Sequence, residues 1–298
     1  IDRLSEDGRS PATISTYKFA AGKLDKVIAG VKVGEATPPR IDAAVRSLKR
    51  AHGPTMARQS RTILQGGLAL AVMAGVLGSN PVREVRISSD AEPQGAKALT
   101  ADELRDLLSK LRASESCREL DLADPVTVLI ATGVRRSELL GLRWIDWNET
   151  AGTITVAGKV VRAAGTGLDR LDGTKSKAGK RTLVLPKFAT DALTERKKLP
   201  FLGEQEMIFP STNGKWRDPN NFGKQWRKVR EDLGVPEVTT HSFRKSVADL
   251  IDDEGLSARI GADQLGHSQV SMTQNRYMTR GKTHSEVAAL LDRAIKDE

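Results

Sequence analysis

Cysteine is almost absent from the 298-residue chain. Cys117 stands alone, which excludes an intramolecular disulfide framework and a thiolate zinc cluster. Histidine is nearly as scarce, with His52, His241, His267 and His284 only. None falls in an HExxH pair and no carboxylate cluster stands beside them, so no protein metal cage is expected. A Walker A loop, a GxGxxG turn and a GxSxG nucleophile elbow are all missing, which excludes the common nucleotide-binding and serine-hydrolase chemistries. The longest apolar stretch, Leu68 to Leu77, is about half the roughly 20 residues a membrane-spanning helix needs, and no charged-then-apolar leader opens the chain. These absences predict a soluble, non-secreted protein. The chain opens on Ile1 rather than Met, as a fragment or a processed protein would.

Basic charge is in surplus. Lys and Arg number 47 against 38 Asp and Glu, giving +9 and a pI near 9.7, the range in which polyanions become partners. The surplus is uneven: residues 1–86 carry 14 basic and 7 acidic side chains, whereas 99–298 carry 32 and 29. Charge alone leaves nucleic-acid binding and a merely basic surface equally open.

The length predicts about two domains. Residues 1–85 read as a helical bundle. Ser10-Pro11 opens a helix through Ala29, Pro38-Pro39 another through Ala51, and Gly53-Pro54 a third, which Asn80-Pro81 closes. Leu64, Leu68, Val72 and Leu77 supply its apolar stripe, and the small residues Ala69, Ala71, Ala74 and Gly75 would let helices approach closely. Residues 86–98, without periodicity and holding Ser, Pro, Gly and charges, read as a linker. The second block, 99–298, opens on a Thr100–Glu103 capping box, followed by Leu104, Leu107, Leu108 and Leu111 at helical spacing. A helical stretch over 125–143 breaks at Thr132-Gly133. Runs 153–156, 159–162 and 181–185 predict one small antiparallel sheet joined by Gly-rich turns. Helices follow over 187–199, 219–233, 242–254, 257–265, 271–280 and 283–296. The fold class is therefore mainly α with a small antiparallel β-sheet. Trp216, Phe222 and Trp226 read as core or DNA-facing packing.

The second block also holds a scattered reactive set: Arg135 and Glu138 in TGVRRSE, Lys175 in TKSKAGKRT, His241 and Arg244 in HSFR, His267 in LGHS and Tyr277 in NRYMT. Arg135 and Glu138 are three apart, as are His241 and Arg244, so each pair shares a helix face. Two guanidiniums converging on one point suit a phosphate, since each donates paired charge-assisted hydrogen bonds and can stabilise the additional charge of a pentavalent transition state. A nearby tyrosine then becomes a plausible nucleophile. Its phenol needs that positive field, or a base such as His241, to ionise at neutral pH. Taken singly, each residue has a plainer reading: Tyr277 as a core tyrosine, His241 as a helix-end residue, His267 as a helix terminator, Arg135 as the ion-pair partner of Glu138. Arg136 reads as a surface or supporting residue.

In the order Arg, Lys, His-x-x-Arg, Leu-Gly-His, Tyr, these residues resemble the tyrosine recombinase (phage integrase) family over roughly 99–298. The first block is similar to that family's helical core-binding domain in size, position and charge. The resemblance implies a core-binding domain at 1–85, a linker at 86–98 and an α+β catalytic domain at 99–298. It also implies that Tyr277 attacks the scissile phosphate to form a 3′-phosphotyrosine. Arg135 and Arg244 would clamp the phosphate, His241 and His267 assist proton transfer and bind phosphoryl oxygens, and Glu138 support Arg135. A hairpin lysine would protonate the leaving 5′-oxygen, and alignment on the strand start at Lys180-Arg181-Thr182 favours Lys175 over Lys177. No cofactor, metal or ATP is implied, because the phosphotyrosine stores the bond energy.

The implied function is site-specific DNA recombination or integration by a phage, mobile-element or chromosome-resolving enzyme. The alternatives are type IB topoisomerase-like strand relaxation and a non-catalytic DNA-binding relative. Double-stranded DNA, a homotetramer on two duplexes and an accessory directionality factor are the implied partners, without a membrane. The implied location is the cytoplasm, at the nucleoid when DNA-bound. Many members of the family carry an additional N-terminal arm-binding domain, and the resemblance leaves open whether one belongs ahead of Ile1. Thr283 and Glu286 form another capping box ahead of Val287, Leu290, Leu291 and Ala294, predicting a C-terminal amphipathic helix; its stripe could dock on its own domain, and the resemblance implies docking on a neighbouring protomer as an exchange helix.

Overall fold

Helix starts follow the capping chemistry. In the computed structural model, which describes residues 1–87, 95–163, 167–173, 179–200 and 206–276, α1 (Asp2–Glu6) precedes α2 (Pro11–Ile28). Ser10 caps α2 by accepting from the Thr13 N–H, and Pro11 takes the first helical position, where a missing N–H costs nothing. Residues 38–51 and 54 onward form two helices, as expected; they abut at Gly53, whose backbone is not helical, and are labelled together as α3 (Pro38–Met73). Gly53 has φ 84° and ψ 172°, a conformation open to glycine, and Pro54 restarts the helix after it.

Ile41, Val45, Leu48, Ala57, Leu64 and Leu68 of α3 bury against Leu24, Val82 and Val85. Val72, Leu77, Ala69 and Ala71 are half-buried, whereas Ala74 and Gly75 are exposed. Asn80 locks the end of the bundle: its Oδ1 accepts from the Val82 N–H and its Nδ2 donates to the Gln65 carbonyl. Arg61 donates to the Val85 and Val82 carbonyls.

Contacts divide the chain into two compact units, Ile1–Gln94 with the short stretch Arg162–Gly167, and the remainder from Gly95. The expected linker includes 88–94, outside the described residues. The second unit begins at α4 (Ala101–Ala113), where the Thr100–Glu103 capping box forms as expected and Leu104, Leu107 and Leu111 are buried. A short α5 (Glu115–Glu119) follows, capped by Ser114, too brief to show a periodic pattern in the sequence. Helix α6 (Ala123–Thr132) is buried on nearly every side, as its apolar composition requires, and packs against α4, α8 (Lys187–Lys197) and α10 (Thr240–Asp253). Gly133 ends α6 in the left-handed conformation, and α7 (Arg136–Leu139) starts after an extended Arg135.

The expected single sheet is two. One has the antiparallel order β1-β2-β5, from Trp147–Asn148, Thr153–Val156 and Arg181–Val184; the other is a separate pair of β3 (Gly158–Ala163) and β4 (Gly167–Asp172). Strand β4 replaces the turn expected there. Its GLDRLD sequence alternates without a buried apolar face, so the usual strand signal is missing. In the three-stranded sheet Ile154 pairs with Leu183 and Val156 with Arg181, which places Arg181 on the inward face. Trp216, Phe222 and Trp226 are buried core residues, the last two on α9 (Pro219–Val229). Helices α11 (Ala258–Leu265) and α12 (Val270–Arg276) complete the described chain; Tyr277 and the expected C-terminal helix lie outside it. Among the described residues no helix is long and apolar enough to cross a membrane.

Gly133 is the glycine this arrangement can least replace. A Cβ there would come 2.9 Å from Leu265 Cδ2 and 3.2 Å from Val247 Cβ at a φ of 65°. Gly133→Ala should lower the stability of the full chain by about 1–3 kcal/mol in urea unfolding. An unchanged midpoint would show that the α6 end does not need the left-handed residue.

Candidate active site

Two helix ends converge on one buried guanidinium. Arg244, on α10 and 1% exposed, donates through Nη1 to the Gly133 carbonyl at 2.9 Å and through Nη2 to the Leu265 carbonyl at 2.6 Å. These carbonyls close α6 and α11, where the negative ends of the helix dipoles favour a cation. That placement accounts for a charge being buried at all. A third contact joins Arg244 Nη2 to His267 Nε2 at 2.6 Å. His267 follows the left-handed Gly266 that ends α11, and its Nδ1 lies 2.8 Å from the Thr273 hydroxyl on α12. Burial, followed by the charges of Arg244, Arg135, Arg181 and His241, pushes its pKa down to about 4. His267 is thus a neutral imidazole at physiological pH.

The second node is Glu138, 4% exposed. Its Oε1 accepts from Arg135 Nη1 at 2.8 Å, while its Oε2 accepts from the Arg135 backbone N–H at 3.1 Å and from Arg181 Nη2 at 3.1 Å. Burial opposes its ionisation, but Arg181 and then Arg135 outweigh that penalty and hold the carboxyl below its ordinary range. Arg135 keeps 41% of its side chain exposed and so presents its charge at the surface of the site. Arg181 also donates to the carbonyls of Gln264 and Gly179, tying β5 to the end of α11.

His241 occupies the first turn of α10, three residues before Arg244. Its surface is exposed, yet the surrounding protein, then Arg244 and Arg135, disfavour the imidazolium and lower its pKa. The structure therefore brings Arg135, Glu138, His241, Arg244 and His267 into one electrostatic cluster. Lys175, Lys177 and Tyr277 lie outside the described residues, and His52 is exposed in the first unit. Arg136 turns away from Glu138 and lies against α9, where a Cβ on Gly223 would overlap its guanidinium.

Two members were missed in the sequence. Arg181 carried a readable signal, because an arginine in the inward phase of a strand requires a buried anion. Thr273 carried none, since a buried threonine on a short helix has no special pattern. Among the described residues no three His, Cys, Asp or Glu side chains are grouped as a metal site.

Comparison with known proteins gives the fold and the family. The fold is that of solved DNA integrases: the Tn1549 transposon integrase in complex with a circular intermediate DNA superposes with a TM-score of 0.79 over 98% of this chain and 97% of that one, at 17% identity. A λ integrase tetramer bound to a Holliday junction gives 0.67 over 95% and 76%, at 19% identity. In sequence, residues 97–284 match the Phage integrase family, and the chain belongs to that family. The tyrosine recombinase XerD of Listeria monocytogenes is 26% identical over 208 residues, which is 67% of this chain and 63% of the Listeria protein. XerC of Rickettsia canadensis is 40% identical over 79 residues, 26% of each chain.

The buried charges make two predictions. Removing Glu138 strands Arg181 and leaves Arg135 without its tie, so Glu138→Ala should cost about 3–5 kcal/mol in urea unfolding; the double variant with Arg181→Ala should lose less than the two single losses combined. Additive losses would mean that the pair does not act as a unit. The second follows from His267. Its pKa is about 4 folded against an ordinary 6.5, so the unfolded chain binds the additional proton between these values. Stability should fall as pH drops from 6.5 towards 4, and His267→Asn should flatten that slope. An equally steep slope in the variant would place the acid sensitivity elsewhere.

Proposed function

We propose that the chain is a site-specific DNA recombinase that cleaves and rejoins DNA through a 3′-phosphotyrosine. The observation that carries this reading is the buried Arg244 held at two helix ends beside His241, His267 and the Arg135–Glu138 pair, in a chain of the phage integrase family.

In the proposed step Tyr277 Oη attacks the scissile phosphorus and the P–O5′ bond breaks. The phenol proton passes to His241, whose lowered pKa keeps it neutral and able to accept. Arg135 and Arg244 face the phosphoryl oxygens and stabilise the charge of the pentavalent transition state. Lys175 or Lys177 protonates the leaving 5′-oxygen. Religation is the reverse, with a 5′-hydroxyl of the partner strand attacking the phosphotyrosine. Because the covalent bond conserves the phosphodiester energy, the step calls for no ATP and no metal.

The same reading assigns 1–85 as a DNA-clamping core-binding domain, 86–98 as the linker and 99–298 as the catalytic domain. The basic excess of residues 1–86 supports the clamp. The structural neighbours, solved on DNA and as a tetramer on a Holliday junction, support DNA as substrate and a tetrameric assembly, which the C-terminal helix would join. Action at the nucleoid in the cytoplasm, with an accessory directionality factor, completes the proposal.

A nicked suicide duplex tests it. The wild type should form a covalent protein–DNA band that persists in EDTA and should exchange strands between two duplexes. Tyr277→Phe should bind the duplex and form no band. A band in that variant would move the nucleophile elsewhere, and relaxation without strand exchange would make the chain a topoisomerase. On a duplex with sulfur at the bridging 5′-position, the alanine variant of the true general acid, Lys175→Ala or Lys177→Ala, should recover cleavage, because a thiolate leaves without a proton. Recovery by neither would exclude both lysines.

A further inference from the structure

The chemistry of the Arg244–His267–Thr273 contacts fixes where the protons are. A guanidinium has donors only, so His267 Nε2, 2.6 Å from Arg244 Nη2, must offer its lone pair. A neutral imidazole that accepts at Nε2 carries its proton at Nδ1. That proton points at the Thr273 hydroxyl, 2.8 Å away, and the threonine oxygen accepts it. An imidazolium would instead set an Nε2–H against the Arg244 N–H groups, amid the further charges of Arg135 and Arg181. All three side chains are buried: Arg244 is 1% exposed, His267 4% and Thr273 0%. With water excluded, each hydrogen bond constrains the next.

Thr273 lies on α12, the helix whose sequence runs directly into Tyr277. Arg244 lies on α10 and holds the ends of α6 and α11. One threonine hydroxyl therefore links the segment leading to the nucleophile with the guanidinium assigned to the phosphate. We infer that Thr273 is a positioning residue: by accepting from Nδ1 it holds His267 in the tautomer whose Nε2 can accept from Arg244, keeps that guanidinium oriented, and so couples the seating of α12 to the phosphate pocket. This inference rests on the recombinase reading for its catalytic consequence, and the tautomer itself does not.

The consequence is a site that is assembled only when α12 is seated. If α12 lifts away, Nδ1 loses its acceptor, the ring can carry its proton at Nε2, and Nε2–H repels Arg244 Nη2. The guanidinium then loses its contact with the imidazole. Seating of the tyrosine segment and orientation of the arginine become one event, which guards against a half-assembled pocket binding phosphate without a nucleophile.

The test uses ring nitrogen NMR on the full chain without DNA, with His267→Gln supplying the assignment among four histidines. Wild type at neutral pH should show a protonated Nδ1 and an unprotonated Nε2. Thr273→Val, which keeps the shape and removes the acceptor, should lose that signature; Thr273→Ser, which restores a hydroxyl, should recover it. A wild-type ring protonated at Nε2, or a tautomer unchanged by valine, overturns the inference whether or not the chain recombines DNA. On the suicide duplex Thr273→Val should form covalent complex about tenfold more slowly at unchanged duplex affinity, with Thr273→Ser near wild type, in the range expected for groups that orient a reactive ligand. Altered tautomer with full cleavage rate would refute the coupling, whereas loss of all cleavage in wild type would count against the recombinase reading alone.

Discussion

Everything around the site depends on burying one guanidinium. A charge almost wholly out of water would cost several kcal/mol unless it were compensated. Arg244 is compensated by carbonyls at the ends of α6 and α11 and by the lone pair of His267. That requirement dictates the rest. Gly133 and Gly266 must be left-handed so that both helices stop where their last carbonyls face the same point, and His267 must be neutral. The packing of α6 at the centre of the second unit supplies the rigidity that keeps the two ends in register.

Glu138 is the counterweight. With the guanidiniums of Arg135, Arg181 and Arg244 so near one another, the region would repel itself, and the buried carboxylate of Glu138 reduces that repulsion while leaving a positive excess. The excess is the property that suits a phosphodiester: the anion would supply the missing negative charge and receive preorganised donors. Arg181 gives the carboxylate a second purpose, since its bonds to Gln264 and Gly179 carry the start of β5 to the same place. Charge balance and backbone geometry are therefore set by the same few side chains.

Legibility in the sequence followed the range of the interaction. Local chemistry was readable: the Thr100–Glu103 box, Ser10-Pro11, and the glycine that ends α6 at 133 act over a few residues. The i, i+3 pairing of Arg135 with Glu138 was readable for the same reason. Long-range pairing was not. Glu138 meets Arg181 across 43 residues of chain and Arg244 meets Gly133 across 111, and no local pattern encodes either. Strand β4 was missed because its residues bury little, whereas the break inside α3 was legible because Gly53-Pro54 is a local signal and Gly53 leaves the helical conformation there. The order of reactive residues carried the family, while their mutual placement came from packing.

The most direct measurement is a structure of the Tyr277→Phe chain on its duplex. The account predicts the scissile phosphate with its non-bridging oxygens within hydrogen-bonding distance of the guanidiniums of Arg135 and Arg244, and Arg244 still joined to the Gly133 and Leu265 carbonyls. A phosphate seated away from both guanidiniums would contradict it and leave the buried arginine as a structural clasp between two helix ends.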